Sequence, residues 1–279
     1  MKKPFKTEAE ITWCPGCPNF MILESVRKTL MNLSEQGVQQ KDFAMATGIG
    51  CHGKMFDYLD ISGIYGLHGR VIPTMLGIKL GNPNLTVLGF AGDGDTYAEG
   101  MGHFVHAGRY NANITLIVHD NQAFALTTGQ ATPTSQKGYK NKAMPFGKPT
   151  LALNPIKLAL TSRASFVARC NARDIAHTSE ILEKAIKHNG FSFVEILQDC
   201  ISFNLETNNR DKQMYKFSQP CKDQEQALKL ADEWDYDDGK GKIALGIFWQ
   251  DTTRTPLEEE LPQLKELLKK KVGWTGFKR

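Results

Sequence analysis

No stretch of the 279 residues approaches the eighteen or more consecutive apolar side chains of a membrane span. The opening MKKPFKTEAEITW carries a basic cluster without the apolar core of a signal peptide. The chain is therefore expected in the cytoplasm, with no membrane partner. An excess of one charge is also missing: 34 basic residues face 30 acidic ones, a net of +4, which argues against nucleic acid as the main partner. Cysteine is sparse, six in all, and in a cytoplasmic chain that favours metal ligation or reactive thiols over disulfides. Internal repeats and low-complexity tracts are absent. What remains, 23% charged and 41% hydrophobic, is an ordinary globular composition, enough for one large domain or one domain with an appendage.

The most informative stretch is Leu85 to Gln130. An apolar run, Leu85 to Ala91, stops at Gly92-Asp93-Gly94-Asp95; a helical pattern follows, and a second apolar run, Ile114 to Val118, ends at His119-Asp120-Asn121. Strand, helix, strand is the economical reading, with both polar termini at the carboxyl ends of parallel strands, where open α/β sheets place ligands. Glycines around a carboxylate let backbone N–H groups approach an anion, and a diphosphate would fit there. Such an anion needs a hard cation, and Mg2+ suits the Asp93 carboxylate and the Asn121 amide. A capping Asp in a glycine turn is the plain alternative.

Elsewhere, Trp13-Cys14-Pro15-Gly16-Cys17 precedes a helix that starts at Asn19, carries Ile22, Val26, Leu30 and Leu33 on one stripe, and stops at Gly37. A structural zinc pair or a redox dithiol fits Cys14 and Cys17, though no neighbouring ligand pair completes a local zinc site. A strand from Phe43 to Ala46 runs into Thr47 to Lys54, a glycine-rich loop that can set Cys51 and Lys54 beside an anion, or can simply bury a cysteine. His68, between glycines before a helix bearing Val71, Met75, Ile78 and Leu80, is placed to donate to a phosphate. The loop Phe124 to Thr134 is long and hydroxyl-rich, as functional loops are, and residues 136–155 read as a surface excursion or a face for another subunit. Strands are predicted at Ser165 to Cys170, Phe191 to Leu197 and Ile243 to Trp249. Helical patterns are predicted at Ile175 to His188, Gln224 to Trp234 and Leu257 to Lys271.

GDG followed 28 residues later by Asn just past an apolar strand resembles the thiamine-diphosphate motif. Adding WCPGC, GIGC, LHGR, the TTGQ-T-PTS loop and a late Cys200 before Ile201-Ser202-Phe203-Asn204, the chain resembles the β subunit of 2-oxoacid:ferredoxin oxidoreductases over roughly residues 10–250, closest to the two-subunit, 2-oxoglutarate-type branch. That resemblance implies an α/β, three-layer thiamine-diphosphate-binding fold: a mainly parallel sheet with helices on both faces. Residues 1–205 would be the diphosphate-binding domain with the iron–sulfur site, and 206–279 a C-terminal extension packed on it. It implies oxidative decarboxylation of a 2-oxo acid, 2-oxoglutarate or pyruvate, to acyl-CoA and CO2.

By the same resemblance Cys14, Cys17, Cys51 and Cys200 would hold one 4Fe-4S cluster. Asp93, Asn121 and the Ala123 carbonyl would hold Mg2+. Cys51, His68, Gly69, Gly94, Asp95, Asn121 and Thr127 would surround thiamine diphosphate, with Lys54 and His68 as the catalytic pair, Lys54 near the 2-oxo acid. An α subunit, ferredoxin and coenzyme A are the implied partners, in an αβ or (αβ)2 assembly active only with α. Pro18, His52 and Thr128 depart from the family pattern and bear on substrate range. A non-oxidative thiamine-dependent decarboxylase subunit would share the diphosphate site but has no use for four cysteines; an iron–sulfur electron-transfer module would lack thiamine altogether.

Overall fold

The computed structural model describes residues 4–270 as an eight-stranded sheet between helical layers. The strands are β1 (Phe43–Thr47), β2 (Ser62–Tyr65), β3 (Thr86–Gly92), β4 (Ile114–Asp120), β5 (Phe166–Asn171), β6 (Ser192–Leu197), β7 (Met214–Lys216) and β8 (Ile243–Gln250). Their order is β2-β1-β3-β4-β6-β5-β8-β7. Every neighbouring pair is parallel except β5 with β8. The expected mainly parallel α/β architecture is what the chain adopts.

Both faces of the central strands are covered, which is why β4 is buried at every residue and mostly apolar up to Val118. Ile117 points to one face, against α1 (Asn19–Glu35) and the helix Ile175–Lys187; Leu116 and Val118 point to the other. There they meet the helices Val71–Gly81, Met101–Tyr110, Pro155–Thr161 and Gln224–Ala231. Asp174 caps the helix that begins at Ile175, its carboxylate accepting from His177 N at 3.0 Å.

Three features differ from the sequence reading. β2 was unmarked because all four of its residues are exposed on the sheet edge, and β7 because three residues carry no period. The predicted helix from Leu257 breaks at Leu261 into Leu257–Glu260 and Pro262–Lys270, since a proline disfavours helical backbone in the residue before it. The Lys271 end of that prediction lies outside the described residues. Residues 136–154 hold neither helix nor strand, and the buried Lys148 ammonium ties them inward through the carbonyls of Pro133, Ser135 and Leu151. Phe146 stands fully in solvent on this excursion.

Candidate active site

Four strands adjacent in the sheet, β1, β3, β4 and β6, all run the same way and deliver their carboxyl ends to one edge. Asp93 follows β3, Asn121 follows β4, the Gly48–Lys54 loop follows β1, and Gln198 to Cys200 follow β6. A pocket of about 60 Å³ opens there among Gly50, His52, Asp93, Asn121, Phe124 and Gln198.

Asp93 is buried, and its Oδ2 accepts from the Thr134 hydroxyl at 2.7 Å. The same hydroxyl lies 3.1 Å from Asp120 Oδ1, while Asp120 Oδ2 has no partner. Burial pushes the Asp93 carboxyl up to about 6. Burial, with the Asp93 charge beside it, raises Asp120 well above the usual carboxylate range. Buried carboxylates sharing one hydroxyl hydrogen leave negative charge for a cation to neutralise. Asn121 and Ala123 flank the same pocket, and the Asn204 amide pins their loop by donating to the Asn121 and Gln122 carbonyls at 3.2 and 3.1 Å. Among the described residues no three His, Cys, Asp or Glu side chains are close enough to hold a single ion. The donors present at this edge, the Asp93 carboxylate, the Asn121 amide and the Ala123 carbonyl, are of the oxygen type that Mg2+ takes, with phosphate oxygens and water to complete the set.

Asp95 turns inward. Its Oδ1 accepts from Gly69 N and lies 3.2 Å from His68 Nδ1, and its Oδ2 lies 3.2 Å from His52 Nε2. It thus ties together the loops after β1, β2 and β3. Glycine is required at two of the contacts: a Cβ on Gly48 would sit 1.9 Å from Asp95 Oδ2, and one on Gly94 would sit 2.2 Å from the Phe124 ring. His68, partly exposed, also lies 3.0 Å from Glu99 Oε2. Thr127 lines the pocket from an exposed turn, its hydroxyl donating to Phe124 O and Gln130 Oε1.

A second cavity, about 230 Å³, adjoins the first and shares Cys51, Asn121, Ala125, Leu126 and Gln198 with it. Cys14, Cys17, Cys51 and Cys200 all line it, although they come from the segment before α1, the loop after β1 and the end of β6. All six cysteines are free thiols, and Cys170 and Cys221 lie elsewhere. Burial, and then the neighbouring thiols, push Cys51 up to about 11 and raise Cys17, so a bound metal would have to draw these two sulfurs to the thiolate form. A donor set of four thiols around a cavity larger than one ion fits a polynuclear cluster. The Trp13 indole fixes the Cys51 carbonyl at 2.7 Å, and Phe203 N lies 3.4 Å from Cys200 Sγ.

Lys54 belongs to this cavity. Its ammonium donates to the Thr12 carbonyl and hydroxyl at 3.1 and 2.9 Å, across the shared wall from Asp93. Sequence reasoning passed over His52, Thr134, Asp120, His119, Gln198 and Asn19 as site residues. The strand-end string His119-Asp120 and the hydroxyl-rich loop were available signals for three of them; nothing in the sequence marks Asn19.

The segment that carries these strand ends gives the class. Residues 48–196 match the family described as thiamine pyrophosphate enzyme, C-terminal TPP binding domain. Over 265 residues the chain is 39% identical to the 2-oxoacid:ferredoxin oxidoreductase subunit beta of Saccharolobus solfataricus, covering 90% of this chain and 85% of that one. It is 37% identical over 188 residues to the 2-oxoglutarate synthase subunit KorB of Archaeoglobus fulgidus, covering 67% and 69%. It also superposes on 2-oxoglutarate:ferredoxin oxidoreductase from Magnetococcus marinus, solved with 2-oxoglutarate, coenzyme A and succinyl-CoA bound. The TM-score is 0.86 at 31% identity, with 98% of this chain and 91% of that one covered. The chain belongs to the β subunits of the 2-oxoacid:ferredoxin oxidoreductases.

Proposed function

We propose that this chain, joined to an α subunit in an αβ or (αβ)2 assembly in the cytoplasm, oxidatively decarboxylates a 2-oxo acid, 2-oxoglutarate or pyruvate, to acyl-CoA and CO2. Electrons leave to ferredoxin through one 4Fe-4S cluster. The observation that carries this reading is the shared wall: four thiols line one cavity, and it opens on Cys51, Asn121, Ala125, Leu126 and Gln198 into the pocket of Asp93. A decarboxylase that transfers no electrons has no use for that second cavity.

In this reading Asp93, Asn121 and the Ala123 carbonyl hold Mg2+ and through it the diphosphate, with His68, Gly94 and Thr127 around it. Asp95 and Gly69 act as the tie that keeps the three loops in place. Cys14, Cys17, Cys51 and Cys200 hold the cluster, and Lys54 offers its ammonium to an anionic substrate at the shared wall. Thiamine diphosphate supplies the electron sink for loss of CO2, and the cluster supplies one-electron steps. The chain's own residues bind, orient and exclude water. Residues 1–205 are taken as the diphosphate-binding domain and 206–279 as an extension that adds β7 and β8 to the same sheet.

The test is an anaerobic preparation of the chain with its α partner. About four irons per β chain and a brown chromophore are expected, both lost in Cys51→Ala. Viologen reduction with a panel of 2-oxo acids identifies the substrate. One equivalent of zinc and no iron after anaerobic reconstitution would overturn the proposal.

A further inference from the structure

Between the two cavities lies a buried pair that neither the diphosphate pocket nor the four thiols account for. His119, next to the last residue of β4, lines the pocket; Asn19, the first residue of α1, lines the cysteine cavity. They are 100 positions apart in the chain yet meet in the core, His119 Nδ1 lying 2.8 Å from Asn19 Oδ1. Their relative exposures are 2% and 1%. Each keeps one polar atom without a partner, His119 Nε2 and Asn19 Nδ2. A buried donor left unpaired is costly, so a ligand for it is the economical explanation.

The direction of the Asn19 amide follows from its neighbours. With Oδ1 accepting from His119 Nδ1–H, Nδ2 is left for the cavity of the sulfurs. The reverse orientation would aim a carbonyl oxygen at thiolates, setting two electron-rich atoms against each other. Cys17 is the nearest cysteine along the chain, two residues before Asn19 at the entry to α1, and both side chains line the one cavity into which the unpartnered Nδ2 is left free to donate.

We propose that Asn19 donates its side-chain amide to the sulfur of Cys17 when that cysteine ligates the cluster, and that His119 is the positioning residue holding the amide there. The pair thereby sets the cluster's reduction potential. The inference rests on the four cysteines being cluster ligands. A donor to a ligand sulfur stabilises the more negative, reduced form, so the potential rises with the donor and falls without it. Because His119 also walls the diphosphate pocket, one hydrogen-bonded pair touches both sites.

The experiment is an EPR-monitored redox titration of the anaerobically purified αβ complex, with iron content measured for each variant. Asn19→Leu is expected to move the cluster midpoint to a more negative potential. His119→Phe should move it the same way by less, because the amide remains but is free to turn. Asn19→Gln, which keeps a donor, should recover part of the shift. A purely structural role for the pair would change stability and leave the midpoint alone. Unchanged midpoints in iron-loaded Asn19→Leu and His119→Phe overturn the inference while leaving the cluster intact. Wild-type complex without iron overturns the reading beneath it. Should Asn19→Leu load no iron, the midpoint of His119→Phe decides: a negative shift supports the inference and no shift overturns it.

Discussion

Glu195 on β6 and Asp93 after β3 are both buried, yet only Glu195 has a cation of its own. Its Oε2 meets Arg169 Nε at 2.6 Å, its Oε1 accepts from the Tyr236 hydroxyl at 2.8 Å, and Arg169 Nη2 closes the ring onto that hydroxyl at 2.8 Å. The guanidinium also stacks among Trp234, Tyr236 and Phe248. Asp93 and Asp120, by contrast, divide a single hydroxyl between them. A closed ring of donors and acceptors holds β5 and β6 together and offers nothing to a ligand. The Asp93 and Asp120 carboxylates at the strand edge have no ion pair of that kind, although the buried Arg210 charge acts on Asp120, so in the proposed reading an arriving cation stabilises the open pair while the closed ring serves the architecture.

The largest expected effect tests whether Glu195 really is spent. Forming the reactive state of thiamine diphosphate needs a carboxylic acid at the aminopyrimidine, and the three glutamates nearest the site motifs are each already engaged. Glu24 pairs with Arg27 at 2.5 Å, Glu99 faces His68 at 3.0 Å, and Glu195 sits in the closed ring. The chain alone, with its cluster reconstituted and thiamine diphosphate and Mg2+ added, should therefore reduce no viologen. Its rate should lie at least about 10²–10⁴-fold below that of the complex with α, the usual worth of a positioned acid–base group. Substantial turnover by the single chain would make one of these glutamates catalytic and erase the distinction.

Stability comes next in size, and the two regions should respond with opposite signs. Arg169→Ala leaves Glu195 charged and alone, at a cost of about 3–5 kcal/mol in chemical denaturation. Asp93→Asn removes a charge the metal-free chain cannot neutralise and should stabilise that form at pH 8 by up to roughly 3 kcal/mol. The sign follows from the raised carboxyl: the folded form binds its proton more tightly than the unfolded one, so stability is greatest in acid. It is lost as pH climbs from the ordinary carboxylate value through about 6. Mg2+ with thiamine diphosphate should flatten that loss in the native chain. A metal-free chain whose denaturation midpoint does not fall between pH 4 and pH 8 would show that Asp93 is already neutralised from within.

What could be read from residues alone divides along the same line. Asp93, Asn121, Cys51 and Cys200 were legible because each ends an apolar run, and parallel strands send all their carboxyl ends to one edge. Glycine-rich strings marked the close approaches at Gly48 and Gly94 for the same local reason. Arg169 with Glu195, and His119 with Asn19, were not legible: each residue is unremarkable in its own segment, and the contact exists only once helix and sheet have packed. β2 and β7 escaped because exposed or three-residue edge strands carry no alternation to read. Lys54 was expected beside the anion from its loop, and the turn from Cys51 to Lys54 sets its ammonium on Thr12 in the cavity that adjoins the Asp93 pocket.

The smallest expected effect sharpens the comparison with one hydroxyl removed from each region. Thr134→Val keeps the shape of a fully buried side chain but deletes the hydrogen that Asp93 Oδ2 and Asp120 Oδ1 share. With Mg2+ in place the Asp93 carboxylate would lose the outer contact that orients it, and such losses weaken metal affinity about 10–100-fold. Calorimetry of thiamine diphosphate binding to the αβ complex at limiting Mg2+ should show that drop, with iron content unchanged because Thr134 does not line the cysteine cavity. Tyr236→Phe is the matching deletion in the closed ring. It strips one partner from both Arg169 and Glu195, so it should lower stability by about 1–3 kcal/mol and leave cofactor affinity where it was. Equal loss of affinity in both variants would mean that the two buried networks are coupled through β6 and that charge closed on itself is not insulated from the site.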